Sequence, residues 1–235
     1  MSTLLEIREA IKKVIKESGY TDPEIDGLIN DALQAIAGGV LMPRPSTDIS
    51  PPLPELYVSA TVETSTSAAY VSLPSNYQRH VFLISDSSDY RVHPVLGGDY
   101  YSFALFMNAA IKKDLSLSGS VQSVCVKGNN LYYQGIPATA TDISLHYYRK
   151  PATLTDASDE PEGIPAHFAK KLLKHYVCKE EFGENIEDGE DNKGTGEAYH
   201  TRKFYETMDA MVKFIGEDAE PVYYGSTSSP IRDAW

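Results

Sequence analysis

The chain is poor in most of the features that announce a function. It has two cysteines in 235 residues, Cys125 and Cys178, far apart and without a zinc spacing. That is too few for a disulfide framework, and both read as reduced, partly buried thiols. No apolar run approaches the roughly 20 residues of a membrane span. The N-terminal MSTLLEIREAIKKVIKE interleaves its charges at helical spacing, without the basic-then-apolar layout of a signal peptide, so the protein is expected to be made in the cytoplasm and to have no membrane partner. Basic charge is scarce as well: 21 Lys and Arg stand against 33 Asp and Glu, a formal net charge of −12. That is the wrong sign for gripping nucleic acid by neutralising phosphates. It suits a surface past which DNA moves without sticking.

Catalytic and ligand motifs are absent in the same way. Ser118-Gly119-Ser120 and Gly225-Ser226-Thr227 do not fit a nucleophile elbow. Lys193-Gly194-Thr195-Gly196 reverses the order that a phosphate loop needs. Asp188, Glu190 and Asn192 alternate as in a calcium loop, but Lys193 replaces the turn glycine and Tyr199 stands where the bidentate glutamate belongs. The stretch reads as a solvated acidic loop. His175 and Cys178, three apart on a helix, lack the further ligand that zinc requires, and His146 reads as a surface or interface histidine. A glycosidase needs only two carboxylates, and nothing in the pattern singles out a pair. The expectation is a protein that is not an enzyme, with no catalytic residue, no metal and no cofactor.

What is present is ordinary globular composition, 42% hydrophobic and 23% charged, with 16 tyrosines and a single tryptophan. Tyrosine joins apolar area to a polar tip and suits half-buried sheets and subunit interfaces. Thr3, with Glu6 three residues on, predicts a capping box opening a helix with Leu4, Ile7, Ile11 and Val14 on one face; it stops at Ser18-Gly19-Tyr20. A second helix has Asp22 at its N-cap, Pro23 at its first helical position and Ile25, Leu28, Ile29, Ala32, Leu33 and Ile36 inward, and ends at Gly38-Gly39. Prolines 43, 45, 51, 52 and 54 then forbid helix or inner strand, so Met42–Pro54 is an extended connector.

From Leu56 the period becomes two. Strands are predicted at Tyr57–Thr64, Ala69–Leu73, Arg79–Ser85, Tyr90–Val95, Val121–Val126, Leu131–Tyr133 and Asp142–Arg149, with turns such as Asp86–Asp89 and Gly128–Asn130. Asp99–Ala110 is too evenly apolar to assign to helix or edge segment. Helical period returns after Pro151. Pro165 opens a third helix with Phe168, Leu172, Leu173, Tyr176 and Val177 inward, ending near Phe182-Gly183. A fourth runs from about Glu197 to Ile215 with Tyr205, Met208, Met211, Val212 and Ile215 as its stripe. The fold class is therefore α+β: a bundle of two N-terminal and two C-terminal helices (1–42 and 156–216), an inserted antiparallel β-domain (43–155) and an extended tail (217–235).

Two runs carry a resemblance. Leu28-Ile29-Asn30-Asp31-Ala32-Leu33-Gln34-Ala35-Ile36-Ala37 is one, and Tyr147-Tyr148-Arg149-Lys150-Pro151-Ala152-Thr153-Leu154-Thr155, leading to Ile164-Pro165-Ala166-His167-Phe168, is the other. Together with the helix-pair, β-insert, helix-pair layout they resemble the head-to-tail adaptors of short-tailed bacteriophages, the tail tubular protein A group. The likeness covers about four-fifths of the chain. It implies a virion protein that forms a dodecameric ring between portal and tail nozzle, passes double-stranded DNA through its lumen without sequence-specific binding, and sends a C-terminal segment onto the portal. Some relatives of that group cleave peptidoglycan, and no matching site is present here.

The residues agree with that implication. The stretch after Ile215 has no period, contains Gly225-Ser226-Thr227-Ser228-Ser229, and ends in Pro230-Ile231-Arg232-Asp233-Ala234-Trp235. A largest apolar side chain at a frayed end suits a tail that folds on docking, and Tyr223, Tyr224, Ile231, Arg232 and Trp235 are its expected portal contacts. Two readings of other classes stand beside it. One is a β-sandwich module that binds glycan or protein through Tyr100, Tyr101, Tyr132 and Tyr133; the other is a peptidoglycan-degrading tail enzyme.

Overall fold

The computed structural model describes residues 2–16, 19–43, 49–86, 91–94, 96–97, 100–109, 115–184 and 193–216. The chain divides into two compact units, one built from Met1–Leu56 with Lys150–Glu220, the other containing Tyr57–Arg149. The architecture is α+β, with five α-helices among the described residues and a sheet system between the second and fourth of them.

In the first unit α1 spans Leu4–Ile15, α2 Asp22–Gly38, α4 Ala166–Glu184 and α5 Lys193–Ile215. Extended Thr3 accepts the Glu6 N–H at 3.4 Å to open α1. Its buried stripe is Leu4, Ile7, Ile11 and Ile15, so Ile15 takes the place expected of Val14. The N-cap of α2 is Thr21, not Asp22: the Glu24 carboxylate accepts the Thr21 N–H at 2.7 Å and its hydroxyl at 2.8 Å. A side chain reaching back to the cap N–H is half of a capping box, and it leaves Asp22 for an ion pair. Ile25, Ile29, Ala32, Leu33, Ile36 and Ala37 are buried, whereas Leu28 is only half-buried. Gly39, at φ 104°, ends the helix where a side chain would be strained.

α4 is the central helix and touches α1, α2 and α5. It buries Ala169, Leu172, Leu173, Val177 and Cys178, while Phe168 and Tyr176 lie half-buried at its flanks. In α5 the inward stripe is Phe204, Met208, Met211 and Ile215. Phe204 replaces the expected Tyr205, a rotation of one residue about the axis.

In the second unit the strands are β1 Tyr57–Glu63, β2 Tyr70–Ser72, β3 Tyr77–Asp86, β4 Arg91–Pro94, β5 Leu96–Gly97, β6 Tyr100–Tyr101, β7 Ser123–Lys127, β8 Asn130–Gln134 and β9 Asp142–Arg149. Seven form one sheet in the order β1-β9-β3-β4-β7-β8-β2, and β5 and β6 form a small ribbon. The pairing is antiparallel, as expected, apart from one short parallel ladder, His93↔Ser123 and Pro94↔Val124. Between those strands the chain makes the ribbon and helix α3, Phe103–Ala109, a connection long enough for the crossover that parallel strands require. Within the unassigned 99–110 stretch the described residues hold strand Tyr100–Tyr101 and helix Phe103–Ala109. Leu73, Val124, Leu131, Tyr133, Ile143, Leu145 and Tyr147 form the core. They come from both ends of the strand order, so the sheet curls around its own inner face.

Candidate functional site

The first of the two runs that carried the resemblance meets the part of the second that follows Arg149 within the helical unit. Asn30 on α2 donates from Nδ2 to the Leu154 carbonyl at 3.0 Å, and its Oδ1 accepts the Leu154 N–H at 2.8 Å. The same amide group also donates to the Asp26 carbonyl at 2.9 Å. One turn on, Gln34 Nε2 donates to the Pro151 carbonyl at 3.1 Å. A side-chain amide is the one neutral group that offers both a donor and an acceptor to an extended backbone. The spacing from Asn30 to Gln34 sets both on one helical face.

The returning segment then organises the start of α1. The N–H groups of Leu4 and Leu5, which have no partner within a helix's first turn, donate to the carbonyls of Asp159 (2.8 Å) and Ala157 (3.1 Å). Asp159 accepts the N–H groups of Thr155 and Asp156 at 2.7 and 2.8 Å, and these bonds hold its carboxyl below the usual range. Glu162 accepts the Ala152 N–H at 3.0 Å. Gly163, at φ 82°, lies where a Cβ would meet Leu56 Cγ at 2.9 Å, so the segment needs glycine there. An open cleft beside it is lined by Glu55, Asp159, Glu160 and Glu162. Two of those carboxylates are already spent on backbone N–H groups, which is structural work.

Charge and aromatic contacts fasten the remaining helices. Arg8 forks onto Asp26, from Nε at 2.7 Å and from its terminal nitrogen at 2.5 Å, and reaches Asp22 at 3.1 Å; Lys12 pairs with Asp22 too. Tyr20 donates to Glu181. Between α4 and α5 the Nδ1 atoms of His175 and His200 lie 2.8 Å apart, both residues buried, with Phe182 stacked on His200. Burial, with a smaller contribution from nearby lysines, lowers both imidazoles, His175 to about 4. Two nitrogens at that distance share one proton in a hydrogen bond, which fits neutral rings. His200 and Phe204 escaped the sequence reading. The spacing Phe204, Met208, Met211, Ile215 was the available signal, and no local pattern pointed to a histidine partner 25 residues away.

The other expected site residues are dispersed. Tyr223, Tyr224, Ile231, Arg232 and Trp235 lie outside the described residues, as do Asp188, Glu190 and Asn192. Lys193 and Tyr199 belong to α5. Tyr100 and Tyr101 form β6. Tyr132 is half-buried and packs edge-on to Phe103 at 5.0 Å and beside Tyr70 at 5.5 Å. Tyr133 is a core residue, its hydroxyl donating to the Ala68 carbonyl at 2.8 Å and accepting the Ser65 N–H at 2.8 Å. It is therefore unavailable to an external ligand, because alternate side chains of a strand face opposite ways. His146 bonds to the Tyr57 hydroxyl at 2.5 Å on the sheet surface. Both cysteines are buried, their thiols pushed up to about 11 for Cys125 and about 12 for Cys178. Among the described residues no group of three His, Cys, Asp or Glu side chains could hold a metal ion, and no helix is long and apolar enough to cross a membrane.

The model of the SU10 adaptor protein family matches residues 2–231. The chain belongs to that family. The match takes in both helix pairs, the inserted sheet and the re-entry segment, so the SU10-type adaptor is the whole unit described above. Comparison with individually curated proteins finds no match. Membership makes the protein a structural phage adaptor, consistent with a head-to-tail adaptor and a component of the virion.

Proposed function

We propose that this adaptor forms a ring between the portal and the tail nozzle of a phage and lets double-stranded DNA pass through its lumen. The family match over nearly the whole chain carries the reading. Supporting it are the net charge of −12, which disfavours retention of phosphates at a lumen wall, and a helical unit whose separate chain segments are clamped into one base. The ring is dodecameric by analogy with the tail tubular protein A group. Its C-terminal tail is the portal-binding element, with Tyr223 and Tyr224 in a groove, Ile231 and Trp235 in pockets and Arg232 on an acid. A single tail binds weakly and a ring of tails strongly, since linked contacts multiply.

Truncation after Glu220 tests the tail. The shortened chain is expected to keep its fold and melting temperature and to lose assembly onto portal-containing heads. Wild-type occupancy of those heads would move the anchor to the helical unit. Light scattering of the full chain over a concentration series tests the ring, which a monomer at every concentration would exclude.

A further inference from the structure

The interior of α2 holds a glycine that the fold of this chain does not call for. Gly27 lies inside Asp22–Gly38, without a positive φ, and among the described residues a Cβ on it would meet nothing within 4 Å. Glycine is the weakest helix former after proline, because ordering it costs the most backbone entropy. Gly163 is explained by its φ and by the approach of Leu56; Gly27 has neither reason. What its missing side chain leaves is open floor.

That floor belongs to a groove of about 430 Å³ beside α2. Glu24, Gly27, Leu28 and Asp31 fall at i, i+3, i+4 and i+7, which is one face of the helix. A carboxylate therefore stands one turn to either side of the Gly27-Leu28 floor, where half-buried Leu28 supplies apolar surface. Tyr20 and, from α4, Glu181 line the groove as well. Glu181 is only 4% exposed and accepts the Tyr20 hydroxyl, so its carboxylate is held in place. Glu24 is fixed by accepting the Thr21 N–H and hydroxyl. Three lining residues are acidic and none is basic.

We propose that this groove takes the side chain of an arginine carried by another protein of the virion. An apolar floor between carboxylates matches that side chain part by part. Its methylene stem covers Leu28 and the open face at Gly27, and its planar guanidinium, more weakly hydrated than an ammonium, reaches the acids. A Cβ at position 27 would stand where the stem lies, which gives the glycine its reason. The groove is complete within one chain, so it needs neither the ring nor the tail. It rests on family membership only for the class of partner, a structural protein of the phage.

Fluorescence anisotropy of the full-length chain with a labelled, capped triarginine peptide at physiological salt tests the site. Tricitrulline serves as the neutral match in shape. The wild type is expected to bind triarginine and not tricitrulline. Gly27→Leu fills the floor and keeps the charge, whereas Asp31→Asn keeps the shape and removes a charge. Each is expected to weaken binding about tenfold, the worth of one charge-assisted contact. Asp142→Asn makes the same charge change on an exposed residue of β9 and is expected to alter nothing. Absence of binding by the wild type overturns the site, as does undiminished binding by Gly27→Leu. Equal weakening by Asp142→Asn overturns it too, because the peptide then follows net charge alone. Gly27→Ala provides an independent readout: its melting temperature is expected to exceed that of the wild type. A lower one shows that the fold itself requires the glycine and removes the inference.

Discussion

The helical unit and the β unit solve the problem of register by different means. In the β unit the backbone does the work: seven consecutive residue pairs join β1 to β9, and side chains fill the curl around Tyr133 and Tyr147. Beyond its first-turn N–H groups a helix has no backbone bonds to spare for its neighbours, so the helical unit holds its separate chain segments mainly with side chains. Asn30 and Gln34 grip Leu154 and Pro151, Arg8 forks onto Asp26, and His175 meets His200. A sheet with good pairing tolerates loss of one polar side chain, whereas a bundle built on a few clamps is sensitive to each.

The largest expected effect comes from Leu33→Asp, which puts an unpaired charge on a fully buried position of α2. Burial of such a group costs several kcal/mol, on the order of 4. Hydrogen exchange is expected to show the helical amides unprotected while those of Ala60, Val62, Ile143 and Leu145 keep theirs. Equal loss in both units would break the comparison at its root.

Acid comes next. The folded imidazole of His175 is lowered to about 4 from its ordinary 6.5, and His200 is lowered in the same direction. Below 6.5 the unfolded chain binds protons that the buried pair refuses, so this stability is intact above pH 6.5 and drains away as pH falls towards 4. The carboxylates Asp22, Glu24, Asp159 and Glu206 are lowered from ordinary values near 4, so their contribution is lost only at lower pH. His175→Gln is expected to flatten the helical melting profile between pH 6.5 and 4. An unchanged acid limb would place its cause elsewhere.

The finest test sets one polar residue of each unit against the other. Asn30→Ala strands the N–H and C=O of Leu154 and is expected to cost about 2 kcal/mol in denaturant melts. Tyr133→Phe removes a hydroxyl that serves Ser65 and Ala68 but leaves its ladder bonds, for about 1 kcal/mol. A reversed order would show that the sheet, not the bundle, depends on its side-chain clamps.

Periodicity by itself determined the helix pairs, the insert between them and most of the strands, because burying one face imposes a repeat of 3.6 or 2 on the residues. It determined the class, α+β. Its errors were small in sequence and large in angle: Val14 for Ile15, Tyr205 for Phe204, Asp22 for Thr21. One residue turns a helix face by about 100°, and adjacent apolar residues compete for the inward place until a neighbouring helix selects one. The 99–110 stretch had no legible state because its apolar residues suit both periods. The partners of Asn30, Arg8 and His175 were out of reach for a stronger reason. Each clamp joins groups distant in sequence, and a hydrogen bond depends on distance and angle between its two ends, which only the folded chain brings together.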